Sequence, residues 1–309
     1  MGKDRRHFIA LALALGISGP WGAVNAQNKT GPVLVLGDSL SAEYGLARGT
    51  GWVALLVALV LLPLLSGNLS GDSGSYSTVL LTDIFIAALF AASLHFILGP
   101  GGMHSFGHAA YFGLGAYGAA LVVRSLDLSM PAALLLGPLV AAAGALLYGW
   151  LCVRLSGVYL TMLTLAFAQI SWAIVFQWDD FTGGSNGLTG VWPPEWASQG
   201  PAFYWLALGI CALGIYLLRR LLFSPLGYAL RASRDSALRA DAIGIDVRLI
   251  QWTAFVIAGL FAGLAGALFA FSKGGVAPDA MSVTQSVDAL VMVLLGGVQT
   301  LAGPVVGAA

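Results

Sequence analysis

Apolar residues dominate long stretches of the chain, and polar residues gather in the short segments between them. A run of about 20 apolar residues is long enough to cross the hydrocarbon core of a bilayer as a helix. Seven such runs follow one another, at 51–66, 78–98, 103–123, 131–153, 157–177, 201–222 and 250–272. This pattern predicts an all-α polytopic membrane protein.

A last apolar stretch, 288–309, differs from the others because Gly296-Gly297 and Gly303-Pro304 interrupt it. Glycine and proline both disfavour a continuous helix. The stretch is interpreted as a re-entrant segment or as an eighth span, which gives about seven or eight transmembrane helices.

Composition agrees with a membrane protein. Hydrophobic residues make up 58% of the chain and charged residues 9%, against about 25% charged residues in soluble domains. The net charge is zero, so there is no basic face for a nucleic acid. Cys152 and Cys211 lie within apolar runs, and we expect buried thiols there, with no disulfide or metal role.

Positive charge concentrates in one stretch between the last two of the seven runs. Six of the fourteen Lys and Arg residues are Arg219, Arg220, Arg231, Arg234, Arg239 and Arg248. Segments rich in Lys and Arg stay in the cytoplasm, so residues 219–249 are predicted to be cytoplasmic and residues 178–200 external. Successive spans must alternate in direction, and counting back from this cytoplasmic segment places Arg124 outside. This is a mild violation of the positive-inside rule.

Residues 1–26 have the features of a secretory signal. Basic residues at Lys3, Arg5 and Arg6 precede an apolar run, and Val24-Asn25-Ala26 offers small side chains for cleavage. A first membrane anchor is the alternative.

Residues 27–51 contain the tetrad Gly37-Asp38-Ser39-Leu40 directly after an apolar strand-like run. Residues 33–56 resemble the opening block of the SGNH/GDSL esterase family, which implies Ser39 as nucleophile. The family also needs a later Asp-x-x-His, and the only one here, Asp4–His7, precedes the serine. We therefore interpret Ser39 as vestigial and expect no esterase activity.

A cleaved signal would place residues 27–50 outside, and the first span would then run against the predicted orientation. This conflict indicates two parts of different origin: a fused segment, 1–51, and a transmembrane domain, 52–309. A non-functional fusion is the alternative to a working transport protein.

The arginine-rich segment has the length and polarity of a short amphipathic helix at the membrane surface, ended by Gly244 as a C-cap. A solvated charged loop is the alternative.

Several motifs occur together with this segment. They are Ser105–Tyr117, Tyr159–Phe167, Thr182–Leu188, Gln251–Leu268 and Leu295–Pro304. In this order they resemble the branched-chain amino acid permeases of ABC importers, over about 250 of the 309 residues. Met103 departs from the family pattern, and a final span is absent, so we expect a domain truncated at its C-terminus.

The resemblance implies the transmembrane permease subunit of an importer for leucine, isoleucine and valine, multi-pass in the bacterial inner membrane. Its implied partners are two ABC ATPase subunits, a second homologous permease and a periplasmic amino-acid-binding protein. The sequence has no Walker A pattern, so we expect a non-enzymatic subunit with no cofactor and no metal. The residues chosen for the ATPase-coupling loop are Arg231, Arg234, Asp235, Arg239, Asp241 and Gly244.

Polar residues inside apolar runs are candidates for a substrate pathway. Those chosen are His108, Thr161, Thr164, Gln169 and Asp288. His104 and His108 are spaced to share one helix face, and packing or hydrogen bonding is expected there because no third metal ligand is near.

A polar turn precedes the 201–222 run. Its members are Thr182, Gly183, Gly184, Ser185, Asn186 and Gly187. It is predicted to be an external turn that touches the binding protein, with an anion cradle of backbone N–H groups as the alternative.

Overall fold

The computed structural model describes residues 73–198, 202–298 and 302–308. The predicted signal segment 1–26, the esterase-like fragment 27–51 with Ser39, and the apolar run 51–66 lie outside the described residues.

Twelve helices and a two-stranded sheet make up the described part of the chain. In chain order they are α1 (Ser73–Leu98), α2 (His108–Leu126), α3 (Met130–Cys152), α4 (Val158–Gln177), α5 (Asp179–Thr182), β1 (Leu188–Thr189), α6 (Glu195–Ser198), α7 (Ala202–Leu222), α8 (Pro225–Asp235), α9 (Ala237–Ala242), α10 (Val247–Lys273), β2 (Gly275–Val276), α11 (Val283–Gly296) and α12 (Ala302–Ala308). Short 3-10 helices cover Gly184–Asn186 and Pro278–Met281.

Six of these helices, α1 to α4, α7 and α10, are long and apolar enough to cross a membrane by length and composition. Their positions confirm the polytopic helical fold that the apolar runs predict. In lipid a helix satisfies its own backbone hydrogen bonds, which is why each apolar run takes this form.

The start of α2 differs from the prediction, because the helix begins at His108 and not at residue 103. Gly102 has a φ of +64°, a conformation that residues with a Cβ rarely adopt. Gly107 lies against the backbone carbonyl of Thr164, where a side chain would not fit. Residues 103–107 are therefore non-helical, although they lie in an apolar run.

The centre of the structure is a close contact among α2, α3 and α10. Gly115 of α2 lies directly against the backbone of Gly263 in α10, and Gly263 also contacts the methyl group of Ala141 in α3. Small residues let helix backbones approach at this distance, and dispersion contacts then hold the helices together. Gly259 and Gly263 thus form a seam of small residues along α10.

The outer helices expose large apolar side chains. Exposed examples are Leu135 and Leu147 on α3, Tyr159 and Met162 on α4, and Leu213 on α7. Such surfaces are unfavourable in water and suit a lipid or protein neighbour.

The described part of the last apolar stretch contains two short helices, α11 and α12. α11 has 14 residues and is roughly 21 Å long at 1.5 Å per residue, too short for a hydrocarbon core of about 30 Å. Gly303 of α12 lies against the carbonyl of Gly296 at the end of α11. The predicted interruption is confirmed.

We expect Gly115→Ala to destabilise the helix bundle by about 1–3 kcal/mol, because its new methyl group collides with the Gly263 backbone. The measurement is thermal unfolding of the purified chain in detergent. Gly209→Ala is the matched control, since no atom lies within 4 Å of the Cβ that it adds to α7. Equal melting temperatures for the two variants would contradict the close contact.

Candidate functional site

The arginine-rich segment between α7 and α10 forms two helices, α8 and α9. The sequence predicts a single short helix here, and the structure has two, because Ser236 takes an extended conformation at φ −163°. Its hydroxyl accepts a hydrogen bond from the backbone N–H of Arg239 at 3.4 Å and so begins α9.

Gly244 ends this segment as predicted, with a φ of +88°. Its N–H donates to the carbonyl of Asp241 at 2.9 Å, and the N–H of Ile245 donates to the carbonyl of Ala240 at 3.1 Å. These two bonds are the Schellman pattern that closes helix C-termini. We call residues 223–246 the surface segment.

The inner face of the surface segment is fixed to the bundle. Leu230 and Ala240 are buried, and so is the hydroxyl-bearing Ser233. Gly227 packs against the carbonyl of Leu222, so the chain turns sharply from α7 into α8. The segment is therefore a folded part of the bundle and not a solvated loop.

The outer face of the surface segment presents large aliphatic side chains among charges. Leu238 is 86% exposed and Ile243 is 74% exposed, beside exposed Arg239 and Asp241. Aliphatic groups surrounded by polar residues are typical of a protein contact surface. Leu238 and Ile243 are absent from the charged and glycine positions predicted for the coupling loop, although aliphatic residues on a polar segment are a visible signal.

The other charged residues predicted for the coupling loop, Arg231, Arg234 and Asp235, contact neighbouring groups of this chain. The guanidinium of Arg231 lies 5.6 Å from the ring centroids of both Phe223 and Tyr228. Arg234 stays partly exposed, but its Nη1 donates to the carbonyl of Gly99 at 2.7 Å, while Asp235 accepts from its Nε and Nη2.

The pathway candidates are not gathered at one place. His108 is fully buried, and its Nε2 lies 2.9 Å from Ser93 Oγ. The Ser93 hydroxyl donates to the carbonyl of Phe90, so the histidine Nε2–H is the donor to Ser93. Its Nδ1 has no partner among the described residues.

Thr164 is also buried, and its hydroxyl donates to the carbonyl of Thr161 at 2.8 Å. Gln169 on α4 and Asp288 on α11 are instead exposed on the surface of the bundle. Which face of an apolar helix turns outward depends on its neighbours, and the sequence did not reveal it.

The expectation that His104 and His108 share a helix face is wrong. Gly107 precedes the first residue of α2, so His104 lies outside the helix and is exposed. Within the described ranges, no three His, Cys, Asp or Glu side chains are close enough to hold a metal ion.

The polar turn after α4 is a compact element. The Thr182 hydroxyl contacts the carbonyls of Val175 at 2.6 Å and Trp178 at 2.7 Å. Gly183, Gly184 and Gly187 all have positive φ.

The N–H groups of this turn point to its own backbone. Asn186 donates to Gly183, and Gly187 donates to Gly184. The carboxylate of Asp179 also occupies the space beside Gly184. A bound anion would meet this negative charge, so the geometry favours the turn over the anion cradle.

The turn leads into β1, which pairs antiparallel with β2 beyond the end of α10. Leu188 opposes Val276, and the N–H groups of Gly190 and Val191 both donate to the carbonyl of Gly274 at 3.0 Å. The ring of Trp192 covers Gly274. We call residues 178–198 the outer loop, which is tied to the end of α10 opposite the surface segment.

Comparison with known proteins agrees with this architecture. A family model described as the permease component of branched-chain amino acid transport systems matches residues 77–309. The high-affinity branched-chain amino acid transport system permease protein LivM of Escherichia coli (strain K12) is 30% identical over 272 residues, covering 79% of this chain and 62% of that protein. The protein of the same name from Salmonella typhimurium (strain LT2) gives the same identity and coverage.

The chain thus spans 62% of the length of the curated relatives it matches. No solved structure matches it. The matched residues include all six described membrane-spanning candidates, the surface segment and the outer loop. The chain belongs to the family of permease components of branched-chain amino acid transport systems.

Proposed function

We propose that this chain is the transmembrane permease subunit of an ABC importer for branched-chain amino acids, located in a bacterial inner membrane. Residues 52–309 form the transport domain, and Ser39 takes no part in catalysis. The observation that carries the proposal is the outer face of the surface segment, where Leu238 and Ile243 lie exposed among charges on helices fixed to the bundle.

The surface segment is the docking site for an ABC ATPase. A subunit that hydrolyses ATP can move the transmembrane helices only if its docking surface is rigidly attached to them. α8 and α9 provide this attachment. Leu230 and Ala240 are buried against the bundle, while Leu238 and Ile243 remain exposed for a partner. The charges of Arg239 and Asp241 surround these aliphatic groups and would orient the partner.

A second permease chain covers the exposed faces of α4 and α11. Asp288 and Gln169 are exposed there, next to apolar side chains such as Met162 and Leu295. A charged residue facing lipid costs several kcal/mol, on the order of 3 at the bilayer centre. Asp288 would avoid that cost if it faced a water-lined path between two permeases. Thr161 lies on the same helix as Gln169.

The outer loop receives the periplasmic amino-acid-binding protein. Exposed Trp192 and Trp196 flank Glu195 on this loop, and large aromatic side chains are common anchors of protein contacts. The β1–β2 pairing connects the loop to α10, so docking at the outer end can act on a central helix.

Replacing both exposed aliphatic residues, Leu238→Asp with Ile243→Asp, is expected to abolish co-purification of the ATPase, because charges would enter the centre of an apolar contact. The measurement is the ratio of ATPase to permease after affinity purification of the co-expressed importer. Uptake of labelled leucine, with competition by isoleucine and valine, should fall in parallel.

Leu126→Asp serves as the control, since Leu126 is 61% exposed at the end of α2 and away from the surface segment. It should leave the ATPase ratio unchanged. A double variant that still retains the ATPase would overturn the docking site.

Gly187→Ala is expected to lower uptake that depends on the binding protein, because its methyl group collides with the carbonyl of Val276 and opens the β1–β2 pairing. Gly190→Ala is the matched control. Both positions have positive φ, and both substitutions therefore cost backbone strain of about 1 kcal/mol or more, but no atom lies within 4 Å of the added group at Gly190.

Uptake by reconstituted importers, measured with and without binding protein, distinguishes the two variants. Equal uptake by Gly187→Ala and Gly190→Ala would show that the paired outer loop has no role in receiving the substrate.

A further inference from the structure

Arg234 makes the most extensive polar contacts on the surface segment. Its Nη1 donates to the carbonyl of Gly99 at 2.7 Å, and Asp235 Oδ1 accepts from its Nε at 3.2 Å and its Nη2 at 3.1 Å. The stem of the same side chain covers Gly102, where an added Cβ would lie 2.6 Å from Arg234 Cγ. One arginine thus joins α8 to the turn that follows α1.

The turn after α1 also contacts the break between α11 and α12. A Cβ on Gly99 would lie 2.8 Å from the carbonyl oxygen of Val298 and 2.8 Å from His95 Nε2. His95 Nε2 donates to that same Val298 carbonyl at 2.8 Å. Gly99 therefore contacts both the guanidinium of Arg234 and Val298, which follows the end of α11.

We propose that Arg234 is a positioning residue that passes movement of the surface segment through the turn at Gly99–Gly102 to α11 and α12, by way of His95 and Val298. This inference rests on the proposed function, in which α11 carries the pathway residue Asp288. It separates two roles within the surface segment. Leu238 and Ile243 bind the ATPase, whereas Arg234 connects the bound segment to the helices that line the pathway.

The chemistry of this link requires arginine. The Gly99 carbonyl lies beyond the end of α1, where the helix dipole favours a cation. The planar guanidinium directs one group of N–H donors to Asp235 and another to Gly99, which a lysine ammonium on a single flexible stem cannot reproduce. Asp235 Oδ1 accepts from both Nε and Nη2 and so orients the guanidinium of Arg234.

The test is hydrogen–deuterium exchange of the purified full chain, compared at residues 288–298. Arg234→Met keeps an apolar stem over Gly102 but removes the donors, and exchange in this stretch should become roughly tenfold faster, the factor expected when a charged hydrogen bond is lost. Arg234→Lys should give an intermediate value. Arg220→Met is the control, because it removes the same charge from an exposed side chain at the end of α7.

Exchange in α2, α3 and α10 is followed in the same samples. A folding defect would accelerate exchange in these central helices as well as at residues 288–298. In the reconstituted importer, Arg234→Met should also move roughly tenfold fewer leucine molecules per ATP hydrolysed while the ATPase stays bound. A merely structural defect would lower hydrolysis and transport together.

Unchanged exchange at residues 288–298 in Arg234→Met would overturn the link, and so would an unchanged ratio of transport to hydrolysis. Failure of the proposed function is recognised separately, because the wild-type chain would then not retain the ATPase, while the exchange measurement would still decide the role of Arg234.

Discussion

In a bilayer, backbone N–H and C=O groups that leave a helix need partners within the protein, since lipid offers none. Among the described residues, two places where backbone leaves the helical form lie after α1 and after α10. After α1, Arg234 binds the free carbonyl of Gly99, and Ser286 Oγ accepts from the N–H of Ala109 in the first turn of α2. After α10, β2 pairs with β1. Both of these stretches are therefore tied to a distant part of the chain.

These ties divide the structure into a rigid centre and attached parts. Gly115, Gly263 and Ala141 bring α2, α3 and α10 to backbone contact, and a close-packed centre of this kind resists deformation. The surface segment, the outer loop and the α11–α12 pair are attached around it through polar contacts and through buried apolar side chains, such as Leu230 and Ala240 of the surface segment. A force applied at the surface segment thus has a defined route through Arg234, and one applied at the outer loop reaches α10 through β1 and β2.

Much of the fold could be predicted from the sequence, because lipid imposes a length and a composition on every span. The described spans, the break in 288–309 and the C-cap at Gly244 all follow from local composition. The late start of α2 and the division of α8 from α9 were not predicted. Both depend on a single residue, Gly107 or Ser236, whose effect is decided by a neighbouring carbonyl or N–H group.

The candidate site was less predictable than the fold. Gly99 and Arg234 are 135 positions apart, and no local pattern indicates their contact. The uniformly apolar helices also give little indication of which face is buried. The sequence therefore predicts the same pathway role for His108 and Asp288, although His108 is buried and Asp288 is exposed.

The import function requires that the surface segment and the outer loop lie on opposite sides of the membrane, with the surface segment in the cytosol. Single cysteines at Leu238 and Ser185, both exposed positions, can be labelled with a membrane-impermeant maleimide, and the native Cys152 and Cys211 are buried. In intact cells stripped of the outer membrane, Ser185→Cys should react and Leu238→Cys should react only after the membrane is opened. Reaction of Leu238→Cys in sealed cells would contradict an ATPase docking there and, with it, the import function.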